Sequence, residues 1–193
     1  ASDVYKRQVN DWITRSVKDM SLAFANAKKF NQPLSWCTEN VRNMNSMFYG
    51  ATSLTSVSLP ETGAVTNMNS MFDGATSLTS VSLPKTGAVT IMSYMFNGAS
   101  SLTSVSLPET GAVTVMSAMF SNATSFDQDI RDLNVSKVTD FDGMFSGATA
   151  MIAKFSTTPN WAEYPTAAWF DPDTTVPTIS SVSLNAANSE LTV

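Results

Sequence analysis

The sequence predicts an α/β repeat fold, a solenoid of 24-residue units in which every coil contributes a short parallel strand and a short helix. Three observations carry this reading. Val17, Val41, Val65, Val89, Val113 and Val138 recur at spacings of 24, 24, 24, 24 and 25 residues. Seven residues after each valine stands Phe24, Phe48, Phe72, Phe96, Phe120 or Phe145, and ten after it Ala27, Ala51, Ala75, Ala99, Ala123 or Ala148. A second rhythm follows, Leu54-x-x-Val57-x-Leu59, repeated at Leu78, Val81, Leu83 and at Leu102, Val105, Leu107.

Each element has its own signal. Met68, Met71, Phe72 and Ala75 fall at i, i+3, i+4 and i+7, the apolar stripe of a short helix. Thr66, Thr90, Thr114 and Thr139 precede the stripe as N-caps. Nine residues after each valine stands Asn26, Gly50, Gly74, Gly98, Asn122 or Gly147, the residue types that best tolerate the left-handed backbone that stops a helix. In the strand, Val57 and Leu59 are expected to point inward and Ser56 and Ser58 outward. Pro60, Pro84 and Pro108 end the strands for want of an N–H, and Glu/Lys-Thr-Gly makes the turn. A helix this short is marginal alone, so stacking of coils at about 4.8 Å must stabilise it. The methionines, in phase with phenylalanine, read as core.

The repeats run from Val9 to about Phe155 (9–155). Two coils differ, beginning at Phe30 (FNQPLSW) and Phe126 (FDQDIRDL), where Leu34 or Ile130 replaces the strand pattern. Residues 156–176 carry Trp161, Tyr164, Trp169 and Phe170 among proline and aspartate, and are expected to form an aromatic cap and linker. Residues 177–193 read as the truncated start of a β-sandwich module. At the other end, Ala1 to Gln8 (ASDVYKRQ) back-translate residue for residue to a tagmentation adapter, so residues 1–8 are expected to be non-native and the native chain to start before Val9.

Composition removes whole classes of function. The 193 residues hold 11 Lys and Arg against 16 Asp and Glu, a net charge of −5, so no basic footprint for nucleic acid exists. With no histidine, His-based acid/base catalysis, Ser-His-Asp triads and histidine metal ligands all fall away. Cys37 is the only cysteine, which excludes an internal disulfide and a cysteine zinc site. No run of apolar residues is long enough to span a bilayer.

At the level of MxxMFxGAxSL, and of F[ND]Q followed by a periodic valine, the sequence resembles the BspA-like leucine-rich repeat surface proteins of bacteria over residues 9–155. The resemblance implies a leucine-rich-repeat-like solenoid, secreted or attached to the cell surface, that mediates adhesion or protein contact without catalysis or cofactor. The last 17 residues resemble the opening strands of an immunoglobulin-like or cadherin-like module. One departure is clear. Thr62, Thr86 and Thr110 occupy the slot where leucine-rich repeats carry Asn or Cys, so a buried asparagine ladder is not expected.

The candidate ligand-binding face follows from stacking the strands. Ser56, Ser80 and Ser104 form one row and Ser58, Ser82 and Ser106 another, with Thr55, Thr79 and Thr103 beside them. Such a hydroxyl sheet suits a protein or glycan ligand, or an ice or polysaccharide surface, or simply keeps the strands soluble. Glu61, Lys85 and Glu109 alternate in sign along the stack and read as register support. Asp127, Asp129, Asp132, Asp140 and Asp142 concentrate acid in one region, where calcium or glycoside chemistry is the functional alternative to a solvated face. Asp171-Pro-Asp173 is a second, weaker calcium candidate. Asn122-Ala-Thr124 and Asn134-Val-Ser136 fit the glycosylation pattern.

Overall fold

Alternation within Ser-Val-Ser sets the sheet. The computed structural model describes residues 14–34, 36–59, 61–170, 183–184 and 191–192. Within them β1 (Ser56–Ser58), β2 (Ser80–Ser82) and β3 (Ser104–Ser106) form a parallel sheet in the order β1-β2-β3. Ser56 pairs with Ser80 and Ser80 with Ser104, Val57 with Val81 and Val81 with Val105. Val81 and Val105 are buried and Val57 packs against the core, while the flanking serines face outward. A second parallel ladder, invisible as a strand pattern, links Asp19, Asn43, Asn67, Ile91, Val115 and Asp140, each two residues after the periodic valine.

The apolar stripe does not fold as a helix. Between Met68 and Ala75 the chain makes consecutive tight turns, Met71 donating to the Met68 carbonyl (3.3 Å), Asp73 to Ser70 (3.2 Å) and Ala75 to Phe72 (3.0 Å). The alternate N–H groups leave the coil. Met68 donates to Ile91 (3.1 Å), Ser70 to Ser93 (2.8 Å), Phe72 to Met95 (2.9 Å) and Gly74 to Asn97 (2.8 Å), all in the following coil. Two left-handed residues per coil make this possible. One is the anticipated Asn/Gly row, Asn26, Gly50, Gly74, Gly98, Asn122 and Gly147, with φ between 55° and 70°. The other, five residues after each valine, is Leu22, Ser46, Ser70, Tyr94, Ala118 and Gly143, with φ between 51° and 61°. A four-residue turn run places i, i+3, i+4 and i+7 inside just as a helix does, so the side-chain pattern alone does not separate the two. The turn run wins by sending half its donors across to the neighbour.

The expected N-caps are corrected with it. Thr66, Thr90, Thr114 and Thr139 each give both the backbone N–H (2.8–2.9 Å) and the hydroxyl (3.1–3.3 Å) to the carbonyl of the equivalent residue one coil back, Arg42, Thr66, Thr90 and Thr114. At Thr38, Thr62, Thr86 and Thr110, all fully buried, the hydroxyl donates forward to the carbonyls of Glu61, Lys85, Glu109 and Asn134 at 2.6 to 3.0 Å. A threonine ladder thus fills the asparagine slot, satisfying interior carbonyls that would otherwise be costly.

The core is a stack of rings. Phe24, Phe48, Phe72, Phe96 and Phe120 follow one another with centroids 5.4 to 5.6 Å apart and planes within 17°, and Phe145 continues at 6.1 Å. Methionines at 44, 47, 68, 71, 92, 95, 116 and 119 are wholly buried beside them. The variant coils add a second ring at each end, Phe30 against Phe24 (4.2 Å) and Phe126 against Phe120 (4.3 Å). After Ala148 comes α1 (Thr149–Phe155), the one α-helix among the described residues, with Met151 and Phe155 buried. Trp161 stacks on Phe145 (5.2 Å), Trp169 meets both edge-on, and Phe170 stacks on Phe141, whereas Tyr164 stays exposed. Of the last segment, β4 (Ser183–Leu184) and β5 (Leu191–Thr192) form an antiparallel pair. The remainder of that segment, the adapter-like residues 1–8 and Asp171-Pro-Asp173 lie outside the described residues.

Candidate functional site

The sheet face separates the candidate residues into two kinds. Thr79 donates its N–H (2.8 Å) and hydroxyl (3.0 Å) to the Thr55 carbonyl, and Thr103 does the same to Thr79 at 3.0 and 3.2 Å. Thr55, with no strand before it, gives both donors to Asn31 Oδ1 instead (3.2 and 3.0 Å). These threonines are therefore ladder rungs whose protons are committed to the backbone. The hydroxyls of Ser56, Ser58, Ser80, Ser82, Ser104 and Ser106 have no hydrogen-bond partner among the described residues and face outward. They flank a shallow furrow of about 460 Å³ that runs over the backbone of Val57, Val81 and Val105, whose side chains point into the core. Gln128 closes its far end, its Oε1 accepting from the Val105 N–H (2.8 Å) and its Nε2 donating to the Val105 carbonyl (3.0 Å). One side chain thus stands where the next strand would pair.

The acidic residues do not converge. Both Asp129 oxygens are held by Arg131, at 2.9 Å from Nε and 2.6 Å from the terminal nitrogen, and these bonds keep the Asp129 carboxyl below its ordinary range. Asp127 lies 3.6 Å from Lys154 Nζ, and Asp140 Oδ1 accepts the Asp142 N–H. No group of three His, Cys, Asp or Glu side chains that could hold a metal occurs among the described residues. The alternating charge row is realised in half. Lys85 grips Glu61 at 2.8 and 3.1 Å, but Glu109 Oε2 accepts from the Gly87 N–H (3.1 Å) rather than reaching Lys85.

The turn run displays a further face that the periodicity passed over. Asn69 Nδ2 donates to Asn45 Oδ1 (3.0 Å), Asn97 Nδ2 to Asp73 Oδ1 (2.9 Å) and Ser117 Oγ to Ser93 Oγ (3.2 Å), each bond bridging adjacent coils. Burial pushes the Asp73 carboxyl above its usual range, opposed by the Asn97 bond. Asp19, fully at the surface, is lowered by Ser21 and Asn43. Tyr49 and Tyr94 stand exposed on this face. The signal was present in the sequence, since coils 41–64, 65–88 and 89–112 differ at seven positions, of which Arg42/Thr66/Thr90, Asn43/Asn67/Ile91, Asn45/Asn69/Ser93, Ser46/Ser70/Tyr94 and Tyr49/Asp73/Asn97 all belong to the turn run.

No helix among the described residues is long and apolar enough to cross a membrane. No curated protein matches the chain in sequence. Among solved structures it is similar to a leucine-rich repeat protein from Eubacterium ventriosum, at 18% identity and a TM-score of 0.45 over 67% of this chain. The chain spans 40% of that protein's length. The family described as "Mycoplasma protein of unknown function, DUF285" matches residues 1–80 and again 79–164, which together take in all of the coiled part, and the chain belongs to that family.

Proposed function

We propose that this chain is a non-enzymatic, extracellular or cell-surface repeat protein of a bacterium that contacts a protein partner through its serine face, in adhesion or protein–protein interaction. The observation that carries the reading is the contrast within one sheet. The threonine hydroxyls are spent on the backbone, while six serine hydroxyls remain unpartnered in two rows along the furrow. Uncommitted hydroxyls at a fixed spacing can donate to and accept from a partner's surface, where a typical protein interface makes about ten direct hydrogen bonds. The BspA-like resemblance of residues 9–155 supports the surface location, and the 24-residue unit supplies the register that aligns the rows. The recess along the valines weighs against an ice-binding plane, which needs a flat hydroxyl array.

Changing Ser58, Ser82 and Ser106 together to Arg tests the face. Pull-down from a cell-surface protein extract with the wild-type chain, lost in the triple variant while its thermal melt is unchanged, is the expected result. Undiminished capture by the variant removes the serine face as the site, and thermal hysteresis of the wild type transfers the face to ice.

A further inference from the structure

A ligand that recognises one coil rather than any coil must touch chemistry that differs between coils. On the serine face nothing differs, because Thr-Ser-Val-Ser-Leu is repeated unchanged at Thr55, Thr79 and Thr103. The differences gather on the turn face, where all but the buried Ser93 are exposed or half-buried side chains. We infer that the turn face is a second binding site, for a neutral oligosaccharide, centred on Tyr49, Asp73, Asn97 and Tyr94.

The chemistry of the four residues fits a sugar. Tyr49 is 42% and Tyr94 46% exposed, whereas the phenylalanines of the same turn run are buried. An exposed aromatic face takes the C–H-rich face of a pyranose, and the phenol adds a donor and an acceptor at its edge. The Asp73–Asn97 pair, joined at 2.9 Å, continues the row that Tyr49 begins, and Tyr94 stands three residues before Asn97 in the same coil, so a carboxylate and a carboxamide are held ready for vicinal hydroxyls with little ordering left to occur on binding. The tyrosines stand two coils apart, about 10 Å along the stack at the ordinary strand spacing. That is about the span of a disaccharide.

Charge selects among sugars. From the second to the eighth residue after each periodic valine the chain places Asp19, Asp73, Asp140 and Asp142 and no lysine or arginine, and the one cation among the varying turn positions, Arg42, donates to the Ala64 carbonyl (3.4 Å). Uronate-bearing or sulfated glycans would meet like charge on this face, whereas neutral hydroxyl-rich chains would not.

Both tyrosines can be removed without altering the backbone the fold requires, because Ala118 occupies the Tyr94 slot and Ala25 the Tyr49 slot elsewhere in the same chain. The full chain, Tyr49→Ala, Tyr94→Ala and the triple serine-to-arginine variant are titrated against a panel of neutral oligosaccharides (β-gluco-, manno- and xylo-oligomers) and oligogalacturonate, with a thermal melt of each. The expected result is binding to at least one neutral oligomer, weakened about tenfold or more by either tyrosine change, unaffected by the serine variant, and absent for oligogalacturonate. No binding to any neutral oligomer, preference for oligogalacturonate, or affinity that survives both tyrosine changes each overturns the proposal. Failure of the serine-face reading leaves these outcomes untouched.

Discussion

Ala118→Gly gives opposite signs for a helix and for the turn run seen here. In an exposed helix interior the change costs about 1 kcal/mol. Ala118 instead has φ of 51°, with its N–H given to Asp142 in the next coil (2.8 Å) and its carbonyl accepting from Ser121 (3.1 Å). An L-residue held left-handed costs roughly 1–2 kcal/mol, which glycine recovers, while glycine's extra freedom in the unfolded chain takes back about 0.5–1 kcal/mol. A net gain of about 0.5–1 kcal/mol follows, and both hydrogen bonds survive because they are backbone bonds. Gly98→Ala is the reciprocal change. At φ of 66° its new Cβ would sit 3.8 Å from the Gly74 Cα, an ordinary contact, so the cost is conformational and of order 1–2 kcal/mol. Urea unfolding followed by circular dichroism reads both, with m required to stay constant because repeat arrays can lose cooperativity. Ala118→Gly should raise the midpoint by a few tenths molar at the usual slope for small proteins. A midpoint lowered by that much refutes the left-handed assignment and restores the helix.

Two further changes probe the ladders. Thr86→Val keeps shape but removes the buried hydroxyl bond to Glu109 (2.8 Å), and should cost about 1–2 kcal/mol in the same assay, whereas Thr90→Val should cost below about 0.5 kcal/mol, because the Thr66 carbonyl keeps the Thr90 N–H. Equal costs would count against the buried ladder. Asp73 has its folded pKa raised, chiefly by burial, so the folded state binds the proton more tightly than the unfolded chain does, and stability from this group grows as pH falls through the folded pKa. Asp73→Asn should therefore stabilise the chain at pH 7 and lose that advantage below the carboxylate range. Asp19 and Asp129, lowered and so working in the opposite direction, are common to both proteins and cancel in the difference. An advantage that grows on acidification would contradict this.

Register and core were legible in the sequence because they depend on side-chain period alone, and Val, Phe and Ala return in phase through six coils and the strand leucines through three. The backbone path was not. Its diagnostic is the second left-handed row, occupied by Leu22, Ser46, Ser70, Tyr94 and Ala118, none a residue type that announces positive φ, and Gly143 alone hints at it. The Asn/Gly row signals a left-handed backbone, but a single such row suits the end of a helix and a turn run alike. On the candidate site, sequence placed the serine and threonine rows on one face but had no means to tell a hydroxyl already bound to the backbone from one left over. That distinction rests on which carbonyl lies a coil away.

The same backbone device accounts for the odd residues at the ends. A coil that sends alternate N–H groups to its neighbour leaves donors and acceptors bare wherever the neighbour changes character, and bare interior groups are costly. At the first strand Asn31 Oδ1 takes the Thr55 donors that a preceding carbonyl would have taken. At the last strand the Gln128 amide answers both backbone groups of Val105. At the end of the ring stack the Glu163 carbonyl accepts the Phe145 N–H (3.0 Å), in the place where Met144 accepts from Phe120 one coil earlier. Phe-Asn-Gln at Phe30 and Phe-Asp-Gln at Phe126 are thus sheet-ending coils, keeping the ring stack while exchanging strand backbone for side-chain amides. The sheet is held to three strands by its own termini, so the serine face has a fixed length, whereas the turn run continues past it in both directions.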